Sequence, residues 1–292
     1  MGDYSNFCKT TDNRKYNTWC KYTKMIDTYG CGCQHDCNYC YAKCLLNFRG
    51  NWNPNKPKKT YITDIINYIE TLNKTDTVKL GCMTDCFQPL ENLERITYET
   101  IKILNRYKIN YLIVTKSNMV SGNEYVNIYN KKLAHFQITI TTTNDKELIK
   151  HEKSPVASKR IMAIEKLYLM GFDVSIRLSP FIEQHIDFEI LNNINCNKIL
   201  IEFLKVNHWV KKWFKIDYSQ YTHKWGGYTH LELSKKIELV KKIKGFKMIS
   251  VGEYVKNHYE YFKNNVNYNK DDCCNLNMMP INFEPEQLEL ML

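Results

Sequence analysis

The chain has 292 residues, of which 43% are hydrophobic and 25% are charged, and its 41 Lys and Arg against 31 Asp and Glu give a net charge of +10. This composition excludes an intrinsically disordered chain, and the length suits one α/β barrel with an extension as well as two ordinary domains. No run approaches the ~18 consecutive apolar residues of a membrane span, and residues 1–5 lack the order of a signal peptide, so we expect a cytoplasmic protein with no membrane partner.

Short apolar runs alternate with segments of helical periodicity along most of the chain. In chain order, the runs predict strands at 24–28, 77–82, 110–115, 136–141, 173–178, 198–203 and 247–251. Apolar residues at i, i+3, i+4 spacing predict helices at 62–72, 93–107, 158–170 and 231–243. This alternation indicates βαβ units and a parallel sheet, which is a closed barrel, a partial barrel or a doubly wound sheet. In each of these folds, active-site residues lie at the carboxyl ends of the strands.

The chain contains 12 cysteines, and a reducing compartment favours metal ligands or catalytic thiols over a disulfide framework. Five of them lie between Cys31 and Cys44, where Cys33, Cys37 and Cys40 are separated by three and then two residues. Three thiolates in one tight loop are able to hold three irons of a four-iron, four-sulfur cluster and leave the fourth iron open. A zinc site with a fourth ligand from a further side chain is the alternative.

The C-x3-C-x2-C spacing, with Tyr39 before the last cysteine, resembles the signature of the radical S-adenosylmethionine enzymes. The fuller string, Cys-x-His-x-Cys-x-Tyr-Cys-Tyr-Ala, is most similar to the branch that contains spore photoproduct lyase, often called DNA repair photolyase-like. Further segments recur in that branch in the same order, and the resemblance extends over residues 24–185; these segments are 81–91, 114–117, 138–141 and 177–180.

The resemblance implies an α/β fold, a partial (β/α)6-type TIM barrel of parallel strands with a C-terminal extension. We expect residues 1–250 to form the partial barrel, with the cluster loop at 31–44. We expect residues 251–292 to be a C-terminal extension of the same structural unit.

The resemblance also implies the cofactors. A [4Fe-4S] cluster on Cys33, Cys37 and Cys40 donates an electron to bound S-adenosylmethionine, and cleavage gives a 5′-deoxyadenosyl radical that abstracts hydrogen from the substrate. Lys116 is assigned to the carboxylate of S-adenosylmethionine, and an ordinary lysine at the barrel rim is the alternative. The other cofactor-binding residues that the resemblance implies are Tyr41, Thr84, Asp85, Thr139, Thr141 and Arg177.

Cys82 follows the second predicted strand, at a position where the resemblance implies a hydrogen donor. In that role Cys82 returns a hydrogen atom to the product radical, helped by Tyr39 and Tyr41, and a buried small hydrophobic side chain is the alternative. The chain departs from spore photoproduct lyase at residues 88–91, which are typical of wider relatives. Its C-terminal third carries no lesion-binding motif.

Residues 205–247 contain eleven Lys against three acidic residues, interleaved with tryptophans and tyrosines. The lysines would bind phosphates and the aromatic rings would stack on exposed bases, so this composition predicts a nucleic-acid-binding surface. The alternative is an amphipathic outer helix whose lysines are solvated.

We therefore expect an enzyme of the photoproduct-lyase type that acts on nucleic acid, DNA first, with a flavodoxin or ferredoxin as electron donor. Radical modification of RNA, a nucleotide or a peptide is the second hypothesis. A non-catalytic, zinc-stabilised nucleic-acid-binding protein is the third.

Overall fold

The computed structural model describes residues 8–10, 20–48 and 50–276. Residues 1–5 and the part of the predicted extension at 277–292 lie outside this description. The strands, in chain order, are β1 (Cys8–Thr10), β2 (Lys24–Ile26), β3 (Tyr29–Gly30), β4 (Lys58–Lys59), β5 (Thr77–Leu80), β6 (Asn110–Thr115), β7 (Ala134–Ile140), β8 (Asp173–Phe181), β9 (Lys198–Phe203), β10 (His223–Trp225), β11 (Tyr228–His230) and β12 (Met248–Val251).

The α-helices occupy the connections between most of these strands. They are α1 (Tyr41–Phe48), α2 (Ile62–Ile69), α3 (Glu91–Glu94), α4 (Ile96–Tyr107), α5 (Asn123–Val126), α6 (Asp145–Leu148), α7 (Ala157–Leu169), α8 (Phe188–Asn192), α9 (His208–Trp213), α10 (Leu233–Lys241) and α11 (Lys256–Asn265). Within the residues described, no helix combines the length and the apolar character needed to cross a bilayer.

The main sheet has eight strands in the order β1-β2-β5-β6-β7-β8-β9-β12. β1 is antiparallel to β2, and the other seven strands are parallel. Because the spatial order of the parallel strands equals their chain order, the sheet lacks the reversal point of a doubly wound fold. Among the described residues β1 and β12 do not pair, so the sheet is open. The predicted partial barrel is confirmed.

Most predicted boundaries agree with the structure to within a few residues. The predicted strands 110–115 and 198–203 match β6 and β9, whereas the predicted strand 24–28 ends at Ile26. The predicted helix 93–107 is two helices, because Arg95 takes a left-handed conformation with φ of 53° between α3 and α4. The proposed division of the chain at residue 250 stays a prediction.

The parallel strands are covered on both faces, as expected for a sheet of this class. On one face, residues such as Tyr111 and Ile113 belong to the large core shared with the helices. On the concave face, Leu112 packs with Leu200, Cys274 and Leu276 in a small second cluster. Side chains alternate along a strand, so neighbouring residues of β6 join different cores.

Candidate functional site

The three cysteines of the C-x3-C-x2-C motif lie on the loop that connects β3 to α1. Two tight turns shape this loop: the Asp36 N–H donates to the Cys33 carbonyl at 3.0 Å, and the Cys40 N–H donates to the Cys37 carbonyl at 3.3 Å. Asp36 has a φ of 41°, the left-handed conformation that closes the first turn. Cys33 and Cys37 are buried, and Cys40 is partly exposed. The sequence spacing therefore yields three thiols on consecutive turns.

Two other segments clamp this loop. The Asn53 N–H donates to the Cys31 carbonyl at 2.8 Å, and a Cβ at Gly32 would collide with the Asn53 carbonyl oxygen, so only glycine permits the approach. On the other side, the Gln34 N–H donates to Oε1 of Gln88 at 2.9 Å. The loop is held by contacts far away in sequence, and these contacts fix the directions of its thiols.

The loop offers three thiols as metal ligands, a set that suits either an iron-sulfur cluster or a zinc ion with a fourth ligand. Within the described part of the chain, ligand atoms that all lie within 4.8 Å of one another occur elsewhere and not among Cys33, Cys37 and Cys40. A single ion gathers its ligands closely, whereas a four-iron cluster distributes three thiolates over three irons. Burial raises the pKa of Cys33 to about 12, so metal binding has to displace the thiol proton.

A buried carboxylate that the sequence reasoning missed contacts the cluster loop. Glu152 is 4% exposed, and its Oε2 lies 3.2 Å from the Cys37 sulfur and accepts a hydrogen bond from the Tyr39 hydroxyl. Its other oxygen pairs with Arg160 at 2.6 Å. Burial alone raises the pKa of Glu152, but Arg160 and Lys116 outweigh burial and hold it well below its ordinary value.

Asp85 and Thr84 follow β5 and are bound to the protein itself. The Asp85 carboxylate accepts the Thr115 hydroxyl and the Lys116 backbone N–H, both at 2.6 Å. The Thr84 hydroxyl donates to the Tyr29 carbonyl at 2.5 Å. These bonds join the loop after β5 to the end of β6 and to β3. The predicted contact of Thr84 and Asp85 with S-adenosylmethionine stays a prediction.

Lys116, at the end of β6, lies beside the cluster loop. Its Nζ is 5.6 Å from the ring centroid of Tyr39, and its charge lowers the pKa of the Cys37 and Cys40 thiols, against the larger upward effect of burial. This partly buried cation would compensate for the negative charge of thiolates that bind a metal. The position is compatible with the predicted carboxylate contact.

Asp27 is a second functional candidate that the sequence reasoning missed. It follows β2, is almost fully buried, and accepts the backbone N–H groups of Cys82 at 2.8 Å, Met83 at 3.0 Å and Thr84 at 3.4 Å. Burial raises its pKa to about 7, although these three donors act in the opposite direction. The predicted strand 24–28 included Asp27, so the sequence carried no sign that this carboxylate follows the strand; β2 ends at Ile26.

Of the two tyrosines that flank Cys40, Tyr41 contacts Cys82 and Tyr39 does not. The Tyr41 hydroxyl donates to the Cys82 carbonyl, and the Tyr41 side chain is half exposed. Burial, and next the Asp27 charge, raise the pKa of Cys82 to about 12, so the sulfur keeps its hydrogen at neutral pH. Tyr39 is directed to Glu152 on the opposite side of the loop.

The remaining predicted cofactor residues lie on β7 and β8 or directly after β7. The Thr141 hydroxyl donates to Glu152 at 2.8 Å, and the Thr139 carbonyl accepts from Arg160 at 2.9 Å. Arg177 donates to Gln137 at 2.7 Å and to Glu202 at 2.6 Å. Thr141 therefore belongs to the environment of the cluster loop.

The aromatic side chains of residues 205–247 range from buried to exposed. Phe214 and Tyr221 are buried, and Trp209 and Trp213 pack against the large core. Trp225, at 38% exposure, is the tryptophan of this region that faces solvent, next to a two-residue turn between β10 and β11. The predicted nucleic-acid-binding surface stays a prediction, and Trp225 and the exposed lysines are its most accessible side chains.

No protein-family model matches the chain. An uncharacterized protein of Methanocaldococcus jannaschii is 26% identical over 165 residues, which are 55% of this chain and 61% of that protein. The chain thus spans about three fifths of the length of this curated relative.

Solved structures share the fold at low sequence identity. Spore photoproduct lyase complexed with dinucleoside spore photoproduct has a TM-score of 0.60 at 14% identity, covering 87% of this chain and 76% of that chain. A variant of the same enzyme has a TM-score of 0.64 at 14% identity, covering 87% and 81%. Methylornithine synthase has a TM-score of 0.52 at 12% identity, covering 77% and 63%. The predicted resemblance is confirmed: this chain has the partial-barrel fold of the radical S-adenosylmethionine enzymes, of the kind found in spore photoproduct lyase.

Proposed function

We propose that the chain is a radical S-adenosylmethionine enzyme whose [4Fe-4S] cluster is held by Cys33, Cys37 and Cys40. The proposal is carried by the position of these thiols on one loop between β3 and α1, in a chain with the fold of spore photoproduct lyase. When bound, the cluster supplies the electron that cleaves S-adenosylmethionine and releases the 5′-deoxyadenosyl radical. A flavodoxin or ferredoxin is the proposed electron donor.

The residues around the loop have separate tasks in this proposal. Lys116 pairs with the carboxylate of S-adenosylmethionine, and Thr84 and Asp85 keep the loop after β5 in place through the bonds described above. Thr139, Thr141 and Arg177 line the neighbouring strands of the proposed cofactor site. The Glu152–Arg160 pair places two opposite charges beside the cluster loop and, because both side chains are buried, excludes water from that side of the loop.

Cys82 is the proposed hydrogen donor. Its S–H bond breaks and a C–H bond forms on the substrate radical, which leaves the unpaired electron on the sulfur. The Tyr41 O–H then restores the S–H bond and takes over the radical, a transfer for which the hydrogen bond from Tyr41 to the Cys82 carbonyl places the phenol on the same segment. The raised pKa of Cys82 supports this role, because a thiolate has no hydrogen atom to give.

A lesion in DNA is the proposed substrate. The support is that a solved lyase of this fold holds a dinucleoside spore photoproduct, and that the net charge of +10 favours a polyanion. Exposed lysines of residues 205–247 and Trp225 would contact phosphates and a base beside the site.

The test is an anaerobic reaction of the reconstituted protein with S-adenosylmethionine, dithionite and UV-irradiated thymine-rich DNA. Mass spectrometry follows 5′-deoxyadenosine and restored thymine, and both are expected. Deoxyadenosine without restored thymine would contradict the DNA substrate and retain the radical chemistry. Neither product from protein with full iron content would overturn the enzymatic proposal.

Two cysteine variants test the site residues. Cys37→Ala is expected to lose the brown cluster absorption and all deoxyadenosine, whereas Cys196→Ala, which alters a buried cysteine in the loop before β9, should keep both.

Cys82→Ala should still produce deoxyadenosine and give altered nucleic-acid products. Unchanged products from Cys82→Ala would remove this residue from the mechanism.

A further inference from the structure

Three side chains outside the proposed active site bring metal-ligating atoms together. They are Glu147, His151 and His185, whose ligand atoms all lie within 4.8 Å of one another. Nε2 of His151 is 2.8 Å from Oε1 of Glu147, and Nε2 of His185 is 3.8 Å from the same oxygen. Two imidazole nitrogens therefore converge on one carboxylate oxygen.

The backbone holds these residues in fixed positions. Glu147 lies in α6, whose first residues are capped by the Asn144 side chain, and His151 follows one helical turn later. His185 ends a 3-10 turn, and its carbonyl accepts the Thr142 hydroxyl at 2.8 Å and the Thr143 N–H at 3.1 Å. The chain after β7 and the chain after β8 are thereby joined at this point.

The side chains are oriented as ligands require. The rings of His151 and His185 stack with centroids 5.3 Å apart, and the buried ring of Phe214 meets their edges at 4.8 and 5.8 Å. Lys150 pairs with Oε2 of Glu147 at 2.7 Å, whereas Oε1 faces the two imidazoles, so a metal ion would replace the hydrogen bond between His151 and Oε1.

We propose that Glu147, His151 and His185 bind a divalent transition-metal ion, of which Zn²⁺ is the first candidate. Two imidazole nitrogens and one carboxylate oxygen are a ligand set that Zn²⁺ takes in open sites, with the fourth position left to water or another ligand. A surface pocket of about 290 Å³ adjoins two of the three ligands, Glu147 and His185, and is also lined by Thr142, Asn144 and Gln184. It provides room for that fourth ligand.

The site has a structural consequence for the cluster loop. The His151 carbonyl accepts the Asn38 N–H at 2.9 Å, and the next residue is Glu152, which contacts Cys37. A metal ion that joins His151 to His185 would fix this segment behind the loop. The inference does not depend on the proposed reaction, because the ligands are separate from the cysteines.

The test uses the full chain with its iron-sulfur cluster reconstituted anaerobically, so that the cluster cysteines are occupied. After dialysis against Zn²⁺, elemental analysis should find one zinc per chain in addition to iron. His185→Ala should weaken zinc binding at least tenfold, and Gln184→Ala, an exposed neighbour that lines the same cavity, should leave it unchanged. Equal far-UV circular dichroism and equal urea unfolding midpoints in all three proteins show that the variants fold.

Replacement of Zn²⁺ by Co²⁺ identifies the ligands. The difference spectrum of the protein with Co²⁺ minus the same protein without Co²⁺ is expected to show ligand-field bands and no new thiolate charge-transfer band, and these bands should disappear in His185→Ala. If His185→Ala does not fold, His151→Asn at a less buried ligand serves the same comparison. Zinc that binds equally to the ligand variants, a thiolate charge-transfer band, or no zinc at micromolar concentration would overturn the proposal.

Discussion

At the scale of single residues, Glu152 shows how a buried charge is maintained at the cluster loop. Arg160 neutralises the carboxylate, and the hydroxyls of Tyr39 and Thr141 satisfy its remaining lone pairs. A buried ion pair of this kind contributes little net stability, yet removal of one partner leaves the other charge unpaired. The pair therefore controls the environment of Cys37 more than the stability of the barrel.

Glu152→Gln keeps the shape of the side chain and removes its charge. Because Arg160 would then be buried without a counter-charge, we expect the free energy of unfolding to fall by roughly 3–5 kcal/mol and the cluster to be retained less well. Urea unfolding and iron content measure the two effects. Glu94→Gln is the control, since the pair of Glu94 with Lys59 is partly exposed and worth about 0–1 kcal/mol. Equal losses in both variants would contradict this account.

At the scale of elements, the loop after β5 depends on a close approach of two strand ends. Gly81 has a φ of 85°, and a Cβ there would collide with the carbonyl oxygen of Val114 in β6. The absence of a side chain lets Asp27 bind the following N–H groups and directs Cys82 toward Tyr41. The glycine thus determines where the proposed hydrogen donor lies.

Gly81→Ala is expected to destabilise the protein by roughly 2–4 kcal/mol, because left-handed strain and a backbone collision add. Gly50→Ala is the matched control: its φ is 70°, but nothing lies within 4 Å of the added Cβ. It should cost about 1 kcal/mol, from strain alone. Chemical denaturation compares the two variants, and a Gly81→Ala protein as stable as Gly50→Ala would show that the strand ends have room to separate.

The hairpin of β10 and β11 and the helix α11 share a cluster of buried polar side chains. His230 and His258 are each 1% exposed, and burial, followed by the charge of Lys236, lowers the pKa of both to about 4. Glu253 pairs with Lys236 in the same cluster. The two histidines are thus neutral when the protein is folded.

The folded chain therefore binds fewer protons than the unfolded chain between the folded pKa of about 4 and the unfolded pKa of about 6.5. Stability is lost as the pH falls below the unfolded pKa, by about 1 kcal/mol per histidine between pH 7.5 and 5.5. Urea unfolding across this range should show a smaller pH dependence for His258→Asn. The exposed His208 offers the control, and a His208→Asn variant that flattened the profile equally would contradict the assignment.

At the scale of the whole molecule, the C-terminal segment covers the concave face of the open sheet. The Asn275 carbonyl accepts a hydrogen bond from Lys198 at 2.8 Å, and its side chain donates to Ser250 at 2.9 Å. Leu276 completes the apolar cluster with Leu112 and Leu200. An open barrel leaves its interior to water unless another segment fills it, and residues 272–276 take this place.

Leu276→Ala should lower the free energy of unfolding by about 2–4 kcal/mol, since it removes a buried side chain and leaves a cavity against β6 and β9. Leu93→Ala provides the comparison at a side chain that is 83% exposed, where a change within about 0.5 kcal/mol is expected. Thermal and urea unfolding measure both. A Leu276→Ala protein as stable as the Leu93→Ala protein would mean that this segment does not hold the concave face.

The sequence by itself determined what depends on local spacing. The alternation of strand and helix predicted the parallel sheet, and the separation of Cys33, Cys37 and Cys40 predicted three thiols on one loop. Neighbours in the chain stay neighbours in space, so these features need no knowledge of strand order. The resemblance then favoured the partial barrel among three architectures that the periodicity allowed.

The tertiary structure alone decided which distant side chains meet. Glu152 reaches Cys37 across 115 residues, and Asp27 reaches the Cys82 loop across 55. Tyr39 and Tyr41, equivalent in the sequence argument, have different partners, Glu152 and the Cys82 carbonyl, because α1 starts at Tyr41 and Tyr39 precedes it in the loop. The convergence of His151 and His185 likewise requires that β7 and β8 be adjacent. Such contacts follow from the order of strands in the sheet, and spacing along the chain carries no information about that order.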